Sequence, residues 1–163
     1  MRKSAGIWLL GTTGLVVVLM AFFNVRIGFG AQAADCIDAH MSLVQYTTTT
    51  VIPRGSYAVF IAPTAMGSQF AGHLVIKKVG AVAGDHVVIT NNLLYINGRE
   101  IGPLDVADKA AKRLGVSVAS FAKDEIVPKG KLFMIGTKPR TFDSRYWGDV
   151  TVGSVVGKAY PLL

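Results

Sequence analysis

The sequence predicts a mainly β protein, an antiparallel, barrel-like domain with one short inserted helix, preceded by one N-terminal transmembrane helix. An uncharged apolar stretch from Ile7 to Phe23 has about the length that spans a bilayer. Short apolar segments separated by Gly, Pro and Asn turns then follow, which is typical of antiparallel strands. A single segment rich in helix formers, 104–114, stops at Gly115 and predicts the helix.

The N-terminal segment divides into a basic leader, 1–6, and the anchor, 7–23. Because Lys and Arg flanks stay on the cytoplasmic side, Arg2 and Lys3 predict that the N-terminus is inside and the remainder is exported. A cleaved signal peptide is the alternative, since 29–34 offers an A-x-A-like site. The apolar run is longer than a usual signal core, and this favours the uncleaved anchor.

The exported part begins with a Gly/Ala-rich connector, 24–36, and continues as one β-domain, 37–163. The stretch 39–46 alternates loosely and runs into a threonine tract, Thr47 to Thr50, that favours extended structure through β-branching. Pro53, Arg54 and Gly55 then form a turn before the strong strand 56–62. These two strands are predicted to form a first hairpin.

Two adjacent lysines, Lys77 and Lys78, lie inside the apolar run 75–85. On a strand they point to opposite faces, so one of them should face inward. A buried ammonium is costly, so such a lysine either pairs with a carboxylate or loses its proton and can act as a general base. The alternative is a pair of edge-strand lysines that guard against aggregation.

The remaining segments predict more antiparallel hairpins. The strands 86–90 and 93–96 flank an Asn91-Asn92 turn, another strand covers 131–136, and a last pair lies around 150–160. Since the helix at 104–114 interrupts this series, we interpret it as an insertion between hairpins rather than a second domain.

Composition excludes several function classes. The net charge is +7, but the basic residues are scattered without a stripe of arginines and aromatics, so no nucleic-acid partner is predicted and anionic headgroups are favoured. The one cysteine rules out an internal disulfide. His40, His73 and His86 are isolated, so neither a metal nor another cofactor is predicted.

The order of these features resembles the signal peptidase I superfamily of membrane-anchored serine-lysine peptidases. The resemblance rests on the anchor, the Pro-x-Gly turn before a V-x-F strand, the Lys-Lys-Val stretch followed by Gly84-Asp85, and Asp143 to Gly148, which reads DSRYWG. The inserted helix, the small size and the C-terminal stretch 156–162 are most similar to the conjugative-transfer, TraF-type branch.

The resemblance implies a role for each matching residue. Lys77, eight residues before Asp85, is the base, and Lys78 replaces the usual arginine. The lysine's hydroxyl partner and a supporting ion pair are implied at Thr141, Asp143 and Arg145. A substrate strand added along a cleft for small residues is implied at Tyr57, Val59 and Ile76.

The nucleophile departs from the family pattern, because neither candidate precedes the usual proline. Cys36 lies 13 residues after Phe23, with a strand beginning just after it. Ser42 is the commoner nucleophile type but lies inside that strand. The spacing to the Pro-x-Gly turn favours Cys36, and a thiol needs less activation than a hydroxyl.

The resemblance thus implies a single-pass protein of the bacterial inner membrane with its C-terminal domain in the periplasm. It implies an endopeptidase that processes an exported precursor with small residues before the cut, in this branch the pilin of a type IV secretion system. The alternative is a catalytically inactive scaffold component of such an apparatus, with the same fold but without the chemistry.

Overall fold

A computed structural model describes residues 13–16, 18–29, 37–39, 41–47 and 51–162. Residues 13–16 and 18–22 are helical. None of the helices within these described ranges is long and apolar enough to cross a membrane, and the first part of the predicted anchor, 7–12, lies outside them.

The chain after the predicted anchor is mainly antiparallel β, as predicted. Eleven strands fall within the described residues: β1 (Val25–Phe29), β2 (Met41–Tyr46), β3 (Tyr57–Ile61), β4 (Leu74–Val82), β5 (His86–Thr90), β6 (Leu93–Ile96), β7 (Arg99–Pro103), β8 (Lys123–Ile126), β9 (Lys131–Ile135), β10 (Val150–Thr151) and β11 (Val155–Pro161). The helices after β1 are α1 (Ala107–Leu114) and α2 (Ser144–Trp147), with short 3-10 helices at Thr64–Met66, Val118–Phe121 and Val152–Ser154.

Two sheets carry these strands. The larger has the order β1-β2-β11-β3-β4-β9-β10, and the smaller has the order β7-β6-β5-β8. The predicted helix is present as α1, which ends at Gly115 in the left-handed region with φ 69°. The stretch expected to be a connector contributes β1, which pairs with β2.

The predicted first hairpin is wrong, because the C-terminal strand β11 lies between β2 and β3. Val44 of β2 and Tyr57 of β3 both pair with Ala159 of β11. Local turn signals at Pro53 and Gly55 gave no indication of this long-range pairing.

The larger sheet buries apolar side chains on both faces. One face contributes to the main core, with Ala58, Phe60, Val79 and Met134 among its members. The other face carries a second cluster, defined by these residues: Ile37, Ala39, Val44, Val59, Ile76 and Ala159. This division determines which candidate site residues can meet.

Candidate active site

Lys77 is fully buried in the middle of β4, with 0% of its surface exposed. Its cross-strand partner is Ala58, a member of the main core, so the lysine side chain faces the main core as well. Nζ forms no hydrogen bond with any residue that the structure describes. An uncompensated charge buried at this depth would be costly. Lys78 lies on the opposite face and is half-buried.

Thr141 lies on the same face as Lys77. The β4–β9 ladder pairs Val79 with Met134 and Lys78 with Ile135, so Gly136 follows opposite Lys77 at the end of β9. A Cβ at Gly136 would clash with Thr141 Oγ1, so the threonine side chain fills the space that a larger residue would occupy. The hydroxyl is thereby placed beside β4, yet it donates its proton to Asp143 rather than bonding Lys77.

Asp143 and Arg145 form a buried ion pair next to this hydroxyl. Arg145 Nε donates to Asp143 Oδ1 at 2.8 Å, and Nη2 donates to Oδ2 at 2.7 Å and to Thr141 Oγ1 at 3.0 Å. Asp143 also caps α2 by accepting from the Arg145 N–H, and it accepts from the Gly136 N–H at 2.9 Å. Every acceptor on this carboxylate is therefore used.

The ion pair also sets the charge state of the guanidinium. Burial alone would lower the pKa of Arg145, but the hydrogen bonds and the negative charge of Asp143 outweigh it and raise the pKa above its ordinary value. The guanidinium stays charged and keeps Asp143 and Thr141 in a fixed arrangement.

Ser42 is not brought to Lys77. It is buried on β2 at two residues from Val44, on the face of the second cluster, whereas Lys77 faces the main core. Strands β11 and β3 separate β2 from β4, which corresponds to roughly 14 Å across the sheet at the usual interstrand spacing. These two side chains are too far apart, and on opposite faces, for direct proton transfer between them.

Cys36 lies outside the described residues, but the residues after it are described. The Asp38 N–H donates to Thr137 Oγ1 at 3.0 Å, and Thr137 follows Gly136 directly. The segment after Cys36 therefore runs past the end of β9, close to the part of the sheet that holds Lys77.

The three residues implied for the substrate cleft do lie together. Val59 and Ile76 are cross-strand partners in the second cluster, and Tyr57 packs against it. Their side chains share the face opposite Lys77, and Ile37 and Ala39 of the same chain pack on them. The apolar patch exists, and part of it is covered by the chain's own segment 37–39.

Asp85 has no contact with the lysine and instead fixes the turn that leads into β3. It accepts from both Nε and Nη2 of Arg54, from the Asn97 side chain at 2.9 Å and from the Val82 N–H at 2.8 Å. Burial alone would raise the pKa of Asp85, but the hydrogen bonds from Asn97, Val82 and Arg54 lower it below its usual value.

The threonine tract is a source of hydroxyls that the sequence analysis interpreted only as strand. Thr47 enters it with its N–H bonded to the Val156 carbonyl at 3.0 Å, and Ile52 follows it as a buried member of the main core, on the face of Lys77. Thr48 to Thr50 lie outside the described residues. The tract places several hydroxyl-bearing residues just before the Pro-x-Gly turn.

Among the residues that the structure describes, no group of three or more His, Cys, Asp or Glu side chains lies close enough to hold a metal ion. The groups that the site offers for chemistry are the Lys77 amine and, on the same face of the sheet, a buried hydroxyl and ion pair.

Comparison with known proteins gives consistent similarities. The chain is 30% identical over 90 residues to signal peptidase I of Bacillus caldolyticus, covering 51% of this chain and 50% of that protein. It is 37% identical over 73 residues to signal peptidase I of Bacillus amyloliquefaciens, covering 43% of this chain and 38% of that protein. The chain thus spans half or less of the length of these curated relatives.

A solved structure is also similar, the crystal structure of a signal peptidase I from Enterococcus faecalis V583. The identity is 28%, the match covers 66% of this chain and 96% of that chain, and the TM-score is 0.41. The family described as "Signal peptidase, peptidase S26" matches residues 4–163. Because that match covers nearly the entire sequence, the chain belongs to the peptidase S26 signal peptidase family.

Proposed function

We propose that this protein is a membrane-anchored endopeptidase of signal-peptidase type that cuts exported precursor proteins with Lys77 as its general base. The observation that carries the proposal is the fully buried Lys77 amine without a hydrogen-bond partner among the described residues. A structural lysine is expected to have a carboxylate at this depth, since leaving a buried charge unpaired costs several kcal/mol, on the order of 3–5. Membership of the signal peptidase family supports the same conclusion.

The reaction follows from an amine that is neutral when substrate binds. Nζ takes the proton from the nucleophile as it attacks the scissile carbonyl, and then returns that proton to the leaving amine. Thr141, held by Asp143 and Arg145, restricts the space around the amine on its own face of the sheet. The neutral form is essential, because a protonated lysine cannot accept the nucleophile's proton.

The substrate is proposed to bind as an added strand beside β4. The β4–β9 ladder begins at Lys78, so β9 does not continue alongside Leu74 and Val75. The neighbouring patch of Tyr57 and Val59 is apolar and suits small residues before the cut. Since Ile37 and Ala39 pack on that patch, an entering strand has to lie beside segment 37–39 or displace it.

A finer proposal is that the precursor is the pilin of a conjugative type IV secretion system, processed on the periplasmic side of the bacterial inner membrane. It is supported by the α1 insertion and by the C-terminal stretch 156–162, which are the features most similar to the TraF-type branch. The N-terminal apolar stretch 7–23 supports a single-pass anchor.

The nucleophile is proposed to come from Cys36 or from the threonine tract rather than from Ser42. Single alanine variants of Cys36, Ser42, Thr48, Thr49 and Thr50 should be compared by the initial rate of precursor cleavage, with the full chain in detergent micelles. We expect that substitution of Cys36 or of one threonine abolishes cleavage and that Ser42→Ala cleaves at the normal rate. A dead Ser42→Ala with all other variants active would overturn this assignment.

A catalytically inactive scaffold is the second candidate, and two observations favour it. Ser42 lies on the other face from Lys77, and the apolar patch is partly covered by residues 37–39. The scaffold predicts that Lys77→Ala still supports assembly of the apparatus, whereas the peptidase predicts that precursor accumulates uncut. Immunoblotting of the precursor and mature forms, in cells that carry the parent chain or Lys77→Ala, distinguishes the peptidase from the scaffold.

A further inference from the structure

The segment inserted between β7 and β8 is connected to the site where it leaves β7, at residues 103–106. The Pro103 carbonyl accepts from Arg145 Nη1 at 2.5 Å, and the Val106 N–H donates to the Tyr146 hydroxyl at 3.2 Å. The Asp105 carboxylate accepts from the Arg140 N–H at 3.2 Å. Three hydrogen bonds within four residues thus connect the start of the insertion to the segment 140–146.

Arg113, one residue before the end of α1, makes a further attachment. Its guanidinium carbon lies 4.9 Å from the ring centroid of Phe142 and 5.6 Å from that of Phe70. Both distances are in the range of cation–π contacts, which hold a guanidinium against an aromatic face. Arg113 therefore connects the helix, the loop between β3 and β4, and the segment 140–146.

Phe142 belongs to the same chain segment as the polar network on the Lys77 face of the sheet. It lies in the chain between Thr141 and Asp143, and its ring stacks on Tyr146 with centroids 5.8 Å apart. Thr141 packs on Gly136, and Asp143 accepts from the Gly136 N–H. A shift at Phe142 would change the position of the Thr141 hydroxyl, which packs over Gly136 on the face of Lys77.

We propose that Arg113 is a positioning residue for the peptidase reaction, holding Phe142 so that Thr141 and Asp143 keep their places beside Lys77. The inference rests on the proposed function, since it assigns the inserted helix a part in that same site. The aromatic partners of Arg113 are Phe70 and Phe142, and neither belongs to the substrate patch. Arg113 acts through the ring of Phe142, and residues 103–106 contact the same segment through Arg140, Arg145 and Tyr146.

The test compares Arg113→Ala with Lys112→Ala, which removes the same charge from an exposed neighbour on the same helix. Hydrogen exchange of the Gly136 amide, the donor to Asp143, reports the network without any need for activity. Arg113→Ala is expected to speed this exchange about tenfold while the Leu94 amide in the smaller sheet keeps its rate. Lys112→Ala should leave both amides unchanged, and Arg113→Lys should restore part of the protection.

Cleavage kinetics give the second readout. With Arg113→Ala, kcat is expected to fall about tenfold at unchanged KM, because the substrate patch is on the other face of the sheet. Measurement well below the melting temperature separates this effect from simple unfolding. Unchanged exchange at Gly136 together with unchanged kcat would overturn the positioning role. If the parent chain cleaves no precursor, the proposed function fails, and faster exchange at Gly136 in Arg113→Ala would then show only that Arg113 holds the network in place.

Discussion

Replacing Asp143 by Asn tests the energetics of the buried network. The carboxylate is 0% exposed and accepts two bonds on Oδ1, both from Arg145, and three on Oδ2, from Arg145, Gly136 and Thr141. An amide nitrogen in either oxygen position faces at least two donors, and Arg145 loses its counter-charge. Breaking one side of a buried ion pair costs about 3–5 kcal/mol, a large part of the ~5–15 kcal/mol that stabilises a domain.

Urea unfolding of Asp143→Asn, monitored by tryptophan fluorescence, measures this loss: the urea concentration at the midpoint should fall while the m-value stays similar. Asp124→Asn is the matched control, because this carboxylate pairs with His86 while 76% exposed, and such a surface pair contributes about 0–1 kcal/mol. Equal losses of stability in the two variants would refute the assignment of Asp143 as the centre of the buried network.

Three further predictions concern other parts of the sheet. Because the pKa of Asp85 is lowered, its contribution to stability is present at pH 7 and is lost as the pH falls below about 4 toward its folded-state pKa. Asp85→Asn should therefore be less stable than the parent chain at pH 7, and urea unfolding at pH 5 and at pH 3 should show that it loses less stability between these two pH values. Gly136→Ala should lower the free energy of unfolding by about 1–3 kcal/mol because its Cβ meets Thr141, whereas Gly153→Ala, with open space, should change it little in the same assay. Lys78→Ala should retain most precursor cleavage, since this lysine points away from Lys77, and an inactive but folded Lys78→Ala would contradict the assignment of faces.

Much of the fold follows from local patterns in the sequence. The alternation of apolar residues and the Asn and Gly turns predicted the antiparallel strands, and the helix formers before Gly115 predicted α1 within three residues of its start. The burial of one lysine of the pair also followed from the two-residue period of a strand. These features depend on neighbours in the chain, and a sequence displays them directly.

What the sequence did not predict depends on contacts between distant segments. The insertion of β11 between β2 and β3 places Ser42 far from Lys77, and no local signal at Ser42 indicates it. The clamp of Arg54 on Asp85 joins residues 31 positions apart. The stacking of Arg113 on Phe142 likewise needs the folded positions of both elements, because neither residue is unusual in its own segment.

Precursor cleavage by Lys77→Met tests the central claim most directly. Methionine fills the same buried space without an amine, so the variant should be as stable as the parent chain or more stable by about 1–3 kcal/mol, because a buried polar group without a partner is removed. Its cleavage rate should nevertheless fall by about 10²–10⁴, the contribution of a general base. A folded Lys77→Met that cleaves at the parent rate would contradict the account, and a large loss of stability would show that the amine has a structural partner instead.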